Sequence, residues 1–564
     1  MFDSPSNPIE LLDVSALPYE KRLCAAALQG LVNRVGPRLF LDYGIYDDPL
    51  ARRTNEVFLD DELWYGKFRE QLGNQDQHNL DYYRQAHGLQ VQAIASLEEA
   101  IRQQRDLLNG LVIWEAGMAD TANIALMLAA QENLLVVEAG MLDWAEPFGL
   151  AVRHDLRGRW RERVSLYEWA FAELFPKCKP GFAACVEPGW GRPEFVDYLV
   201  QNQIFTYSLS SKAGNLGDTI LLLLAFGPAW LREVIFGLGL DGPLRRLGLA
   251  LMGKKSAEAR LGNRIQRAVQ AKPYPTLFGW HTRRDDELAF MLQLSANGLR
   301  LAPSHLAGNF SFHSRVLPLG MPARTATQLP ELDPQGIYLT FTLSDGDQLM
   351  MMNSGELGNW YSPTRGKVPF NWETQPLLVE LAPALLEKYA RTATPNDCLV
   401  AGPSGAGYII PPLAPDLPAY LAESRRVCQQ AGLDVITFYV PDPPRRVLRQ
   451  LKGHSQGLAG YLAGYGCLQR RLQVRLGGVM FITNQWPPVA RIADSAEQVL
   501  AGVRQLIASK RERPGFIAIH LFAYRTSLAD IAQFAEEIQD EHIHVVRGDV
   551  FLGLAHQAST RRKA

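Results

Sequence analysis

The chain has 564 residues, 47% of them hydrophobic and 21% charged, with a formal net charge of -2. That length exceeds one ordinary core, so two or three globular domains are expected rather than a disordered chain. A near-neutral balance without a long Lys/Arg stripe offers little to a phosphate backbone, so no nucleic-acid partner is expected. The six cysteines (Cys24, Cys178, Cys185, Cys398, Cys428 and Cys467) form no CxxC pair. They read as buried thiols, not as a zinc ribbon or redox motif. The opening residues, MFDSPSNPIELLD, lack a basic stretch followed by an apolar one. No signal peptide is expected, and the expected location is the cytoplasm.

In chain order, residues 18–34 read as an amphipathic helix with Pro18 at its start, followed by the short strand RLFLDYG. A helix near 97–107, the strand LVIWEA, a helix through IALMLAAQ and the strand LLVVEA continue the alternation. Such alternation predicts an α/β domain with a parallel sheet over residues 1–211. Residues 212–270 look helical and read as an insertion or linker. Within them, 219–240 is long enough to span a bilayer, but Arg232 and Glu233 lie inside it and Gly227-Pro228 breaks it. A buried helical hairpin, or a face for a homo-oligomer or protein partner, is expected instead of a transmembrane span. Strand-like runs then recur at 276–280, 336–343, 398–402, 434–440, 478–483, 516–522 and 543–546, with helical segments between most of them. This predicts a (β/α) barrel-like domain over 271–564, with an open doubly wound sheet as the competing topology.

Active sites in parallel α/β folds lie beyond the carboxyl ends of the strands, which turns the strand list into site candidates. SDGDQ follows the strand GIYLTFTL, so Asp345 and Asp347 are placed at that edge, where close carboxylates suit acid/base work or a cation. An Asx turn capping the next helix is the plain alternative. The loop GPSGAGYIIPP offers Ser404 and Tyr408, with Gly402, Gly405 and Gly407 permitting close backbone approach. It lacks the spacing of a phosphate or dinucleotide loop. His281 ends the strand TLFGW and is followed by TRRDDE, whose acids could merely load a helix start. Asn309 and His313 could join the same edge. The segment 358–373, GNWYSPTRGKVPFNWE, reads as a proline-broken loop in which Trp360, Arg365, Trp372 and Glu373 could hold a sugar, with Glu356 just before it. His520, inside a strand, reads as a core histidine.

SDGDQ, NWYSPTRGKVPFNWE, the Ala-Thr-Pro-Asn-Asp segment and GPSGAGYIIP together resemble the GxGYxYP family of glycoside hydrolase-like proteins, whose name-giving motif reads GAGYIIP at Gly405–Pro411. LQGLVNR with PRLFLDYG resembles the family's N-terminal domain, and FGWH, GNFSFHS and VVRGDVFLGL resemble parts of its C-terminal domain. Gln348 stands where the family commonly has Asn, and Ile410 where it usually has an aromatic. The resemblance implies roles for Asp345, Asp347, Arg365, Trp372, Ser404, Gly405, Gly407 and Tyr408. It also implies sugar chemistry, and the missing signal peptide points to a small intracellular glycoside or another metabolite.

Three functions follow as expectations. A glycoside hydrolase would use a carboxylate pair from Asp345, Asp347, Glu356 and Glu373, with Asp285 a further candidate, and no cofactor. A metal-dependent hydrolase would hold a divalent ion on Asp345, Asp347 and His281 or His313. A non-catalytic binding or assembly protein would keep the fold without the chemistry.

Overall fold

The computed structural model describes residues 8–44, 74–189, 193, 195–269, 274–322, 327–344, 348–464, 472–485, 496–523 and 526–561. Pro18, whose φ of -66° already suits a helix start, precedes the helix Tyr19–Val32. Every residue from Leu23 to Val32 is buried, so this helix is enclosed on more sides than an amphipathic surface helix. Gly30 explains one close approach: a Cβ there would sit 2.3 Å from the backbone oxygen of Asp197. The helix packs among two three-stranded parallel sheets and the helix Val196–Gln201. One sheet runs Leu39–Asp42, Ile9–Asp13, Val91–Ile94. The other runs Leu134–Glu138, Gly110–Trp114, Val152–Asp155.

A four-stranded parallel sheet draws on both sides of the division expected at residues 211–271. Its order is Arg300–Pro303, Thr276–Gly279, Phe182–Cys185, Phe205–Tyr207. The strand at 276–280 was expected to open the barrel-like sheet. It pairs instead with Phe182–Cys185. Between these strands lie the helices Leu216–Phe226, Ala229–Gly237, Asp241–Lys255 and Ala257–Ala268, as the composition of 212–270 predicts. None among the described residues is long and apolar enough to cross a membrane, and the first two meet at 95° around Gly227. Arg232 is buried and pairs with Asp442 at 2.7 Å. It also donates to the carbonyls of Ala225, Gly227 and Asp442, so the helical pair is tied to the C-terminal half.

The C-terminal half is built on a nine-stranded sheet that curls into a half-barrel. Its parallel run is Val479–Thr483, Gly460–Ala463, Val435–Phe438, Asp397–Ala401, Phe370–Thr374, Ile337–Ser344, Gly515–Phe522. The curl brings the two ends of the run near each other without pairing them as strands: Gln485, just past the first strand, donates its N–H to the carbonyl of Ala518 at 2.7 Å. Alternation along each strand separates two faces. Phe341, Trp372, Ile436, Phe438, Phe481 and Ile519 share the main core with the crossover helices, which marks the outer face. Tyr338, Val400, Val435, Leu462, Met480, Phe516 and Ala518 point the other way and pack on the C-terminal helix Gly548–Arg561. That helix fills the amino-terminal part of the inner face. The five described cysteines are free, and all but Cys178 are buried.

Asn309 was expected at the edge of the site. It is fully buried, in the left-handed region at φ 64°, which Asn tolerates. Its Oδ1 accepts from Gln29 at 2.6 Å and from the Leu41 N–H at 2.8 Å, and its Nδ2 donates to the Leu41 carbonyl at 2.8 Å. The side chain thus replaces a neighbouring strand along Leu39–Asp42, and its amide is used up in doing so. Asn309→Ala is therefore expected to cost about 3 kcal/mol, since it orphans buried backbone groups. Urea unfolding checks this, and an unchanged midpoint would show the amide to be dispensable. His313 is likewise interior: its Nδ1 lies 2.8 Å from the Tyr83 hydroxyl, and burial lowers its pKa to about 3.

Candidate active site

Past the C-terminal helix, the inner face of the curled sheet turns polar. Thr342, Ser344, Glu373, Thr437, Asn484 and His520 are all buried near the carboxyl ends of their strands. Glu373 and Asn371 alternate with Trp372, so both point inward while Trp372 joins the outer core. The Asn371 amide donates to the Thr340 and Thr342 hydroxyls at 2.8 and 3.0 Å. Its Oδ1 accepts the Gly548 N–H at 2.6 Å, fixing the C-terminal helix beneath the polar ring. Glu373 Oε1 accepts a hydrogen bond from the Thr437 hydroxyl. Burial lowers the pKa of His520 to about 3, so it is a neutral imidazole.

Glu356 enters from the crossover between the strands Ile337–Ser344 and Phe370–Thr374. Four successive residues there are left-handed: Gly355 (φ 67°), Glu356 (52°), Leu357 (55°) and Gly358 (82°). Holding two side-chain-bearing residues in that region costs on the order of 1–2 kcal/mol each, and such strain gathers at functional sites. The turn is held by Glu356 N–H to the Met351 carbonyl at 2.6 Å and by Asn359 N–H to the Glu356 carbonyl at 3.1 Å. The Glu356 carboxyl is fully buried, and neither oxygen has a hydrogen-bond partner among the described residues. Burial first, and the negative charge of Glu373 second, hold its pKa well above the ordinary value. Glu356 therefore keeps its proton where an ordinary glutamate is ionised.

Asp345 and Asp347 lie outside the described residues. Their flanks are the end of the Ile337–Ser344 strand and the start of the helix Gln348–Asn353. Of the candidate carboxylates, Glu356 and Glu373 lie near enough for the charge of Glu373 to raise the pKa of Glu356. The predicted sugar-stacking rings do not form an open platform. Trp360 and Trp372 are buried edge to face at 5.1 Å. Their indole N–H groups donate to Thr392 at 3.0 Å and Asp397 at 2.8 Å. Arg365 lies over the Trp360 ring and pairs with Asp397 at 2.7 Å. These three positions brace the fold. The supposed loop ends in the strand Phe370–Thr374, which its inward polar residues disguised.

The glycine-rich loop is a joint between sheets. Tyr408 and Leu301 exchange backbone hydrogen bonds of 2.7 and 2.9 Å, bridging the loop to the four-stranded sheet. A Cβ on Gly405 would sit 2.0 Å from Ser424 Oγ, and one on Gly407 2.8 Å from Arg300 Cδ. Ser404 Oγ donates to the Ile409 carbonyl at 3.0 Å, and the Tyr408 hydroxyl donates to Glu287 at 2.8 Å. The Tyr408 ring packs on Tyr439, at the carboxyl end of Val435–Phe438, and lies parallel to Trp280, beside His281. His281 Nδ1 is 2.9 Å from the Thr282 carbonyl. Ile410 is buried, so apolar packing suffices at that motif position. Asp286 caps the helix Glu287–Ala296 through Ala289 N–H at 2.7 Å, the plain reading of DDE. Burial raises the pKa of Asp285 to about 7, and Asp285 accepts the Ser211 N–H at 2.7 Å. Among the described residues no group of three His, Cys, Asp or Glu side chains is arranged to hold a metal ion.

Sequence reasoning did not single out Thr437 or Asn484, and it read Gly402 only as a place where the backbone could approach a ligand. Thr437 and Asn484 sit in apolar strand contexts, where only the period-two alternation marks them as inward. A Cβ on Gly402 would lie 1.7 Å from Thr437 Oγ1 and 1.9 Å from Glu373 Oε1, so the glycine makes room for the carboxylate.

Fold and site define an α/β protein whose polar centre lies at the carboxyl edge of a curled parallel sheet. Residues 335–556 match the GxGYxYP putative glycoside hydrolase C-terminal domain, and residues 108–178 match the GxGYxYP_N second domain. The chain belongs to the GxGYxYP family. A crystal structure described as a putative hydrolase from Bacteroides thetaiotaomicron shares its fold, with a TM-score of 0.75 and 18% identity over 98% of this chain and 95% of that one. A structure described as a putative polysaccharide deacetylase from Mycobacterium smegmatis aligns over 43% of this chain and 96% of that one, with a TM-score of only 0.29 at 11% identity. None of the curated proteins matches the chain.

Proposed function

We propose that the protein hydrolyses a glycoside, with Glu356 as proton donor and an ionised carboxylate opposite it. The observation that carries this reading is the buried Glu356 carboxyl, without a hydrogen-bond partner among the described residues and under the charge of Glu373. Two carboxyl groups whose surroundings push their protonation apart suit an acid and a base or nucleophile. Glu373, stabilised by the Thr437 hydroxyl, takes the ionised role. Asp345 and Asp347 follow the neighbouring strand and would add further carboxylates or bind sugar hydroxyls. Family membership supports the substrate class.

The test is a panel of aryl glycosides and short oligosaccharides assayed for released sugar, with and without a chelator. Hydrolysis by the wild type that survives chelation and falls about 10²- to 10⁴-fold in Glu373→Gln supports the proposal. Activity that chelation abolishes would replace it with metal-assisted hydrolysis. Full activity in Glu373→Gln would overturn the assignment of roles.

A further inference from the structure

Fifteen large hydrophobic side chains are exposed among the described residues, and seven fall between residues 216 and 247: Leu216, Leu222, Trp230, Val234, Leu238, Leu240 and Leu247. Such concentration in one helical insertion marks a surface made to be covered. Trp230 and Leu238 are 70% and 69% exposed. With Val234 they recur every four residues, so they line one ridge.

The surroundings of this ridge say what covers it. The helix Asp241–Lys255 carries Arg245, Arg246, Lys254 and Lys255 against one carboxylate, Asp241. The helix Arg445–Gly453 carries Arg445, Arg446, Arg449 and Lys452 with no acid. Asp241 pairs with Arg446 at 3.0 Å, and Glu233 accepts the Arg445 N–H at 3.0 Å. Leu238 and Phe236 line a shallow groove with Arg446 and Arg449, so apolar and basic groups share one face. In a chain of net charge -2 this local excess is distinctive. An exposed tryptophan and leucines beside arginines and lysines match the interface of an anionic bilayer. A second copy fits less well, because a twofold contact would set like charges against each other. Surface docking fits better than a span, because no single helix among the described residues is long and apolar enough to cross a bilayer and buried Arg232, on the second of the two bent helices, is bonded to Asp442.

We propose that the helical pair Leu216–Gly237, with the start of the following helix, docks the protein on the surface of an anionic lipid bilayer. This inference is independent of the catalytic proposal. Phe226, on the first helix, packs against Tyr439 beside Tyr408, so docking also sets the orientation of that edge of the molecule toward the membrane.

Vesicle flotation tests it, with the full chain and vesicles of phosphatidylcholine alone or mixed equally with phosphatidylglycerol. The wild type is expected to float only with the anionic vesicles, and less so as salt rises. Trp230→Ser with Leu238→Ser should weaken binding by roughly tenfold or more while leaving the melting temperature unchanged, because both side chains are exposed. Arg246→Glu with Arg449→Glu should remove the preference for anionic lipid. A wild type that stays in the aqueous fraction with both vesicles overturns the proposal. So does a concentration-dependent dimer that the Trp230→Ser, Leu238→Ser variant splits, which would assign the ridge to a second copy.

Discussion

Glu356→Gln is expected to stop turnover, by about 10²- to 10⁴-fold, and yet to make the protein more stable at neutral pH. The stability half of this result follows from linkage. The folded-state pKa of Glu356 lies above its ordinary value of 4.5. Below that ordinary value the carboxyl is protonated in both the folded and the unfolded chain, and the group has no effect on the pH dependence. As pH rises past it, the unfolded chain releases the proton while the folded chain holds it. The unfolded state then gains about 1.4 kcal/mol per pH unit, until the folded pKa is reached and the difference levels off. Glutamine has no proton to lose, so the variant escapes this loss. Thermal or urea unfolding of both proteins from acidic to alkaline pH should show curves that meet at low pH and separate upward. Parallel curves would mean that Glu356 titrates normally, and the proton-donor assignment would fall with them. The paired readout matters because a merely structural glutamate would lower activity and stability together.

The elements legible in the sequence were the long strands with an apolar outer face. Ile337–Ser344 and Gly515–Phe522 each run for eight residues, and against crossover helices outside and the C-terminal helix inside they carry enough apolar residues to read as strands despite Thr340, Thr342, Ser344 and His520. Phe370–Thr374 did not, because Asn371 and Glu373 face the polar ring. What marks the site thus hides the strand that carries it. Gly460–Ala463 is short and starts at a glycine, and Phe182–Cys185 and Phe205–Tyr207 are too brief for a period to show. The aromatic segment misled for a different reason. Trp360 and Trp372 satisfy their N–H groups on Thr392 and Asp397, residues brought close only by the fold. Asn309 is similar: its four hydrogen bonds go to Gln29, Leu41 and Asp76, all more than 200 positions earlier. Glu356 and Glu373 were nameable because carboxylates near the strand ends were sought. Their unequal surroundings, on which the proposed roles rest, needed the left-handed turn and the Thr437 hydroxyl.

Gly402→Ala should be the most damaging single-atom change near the site. The added Cβ would fall 1.7 Å from Thr437 Oγ1 and 1.9 Å from Glu373 Oε1. Neither group can yield freely, since both stand on central strands of the curled sheet with buried neighbours. Relief requires breaking their mutual hydrogen bond and pushing the carboxylate into the polar ring. Overpacking costs about 1–3 kcal/mol, and losing a hydrogen bond to a charged group adds about 1.5–3. A loss of about 3–5 kcal/mol is therefore expected, together with lost activity. Thr437→Ala separates the two causes, because it deletes the hydrogen bond and makes room at once. Alone it should cost less than Gly402→Ala. In the Gly402→Ala background it should relieve part of the clash, so the double variant is expected to be more stable than the two single losses added together. Urea unfolding of the four proteins measures that coupling. Strict additivity would mean that the alanine methyl is accommodated elsewhere, and that Gly402 does not hold open the space that the Glu373 carboxyl occupies.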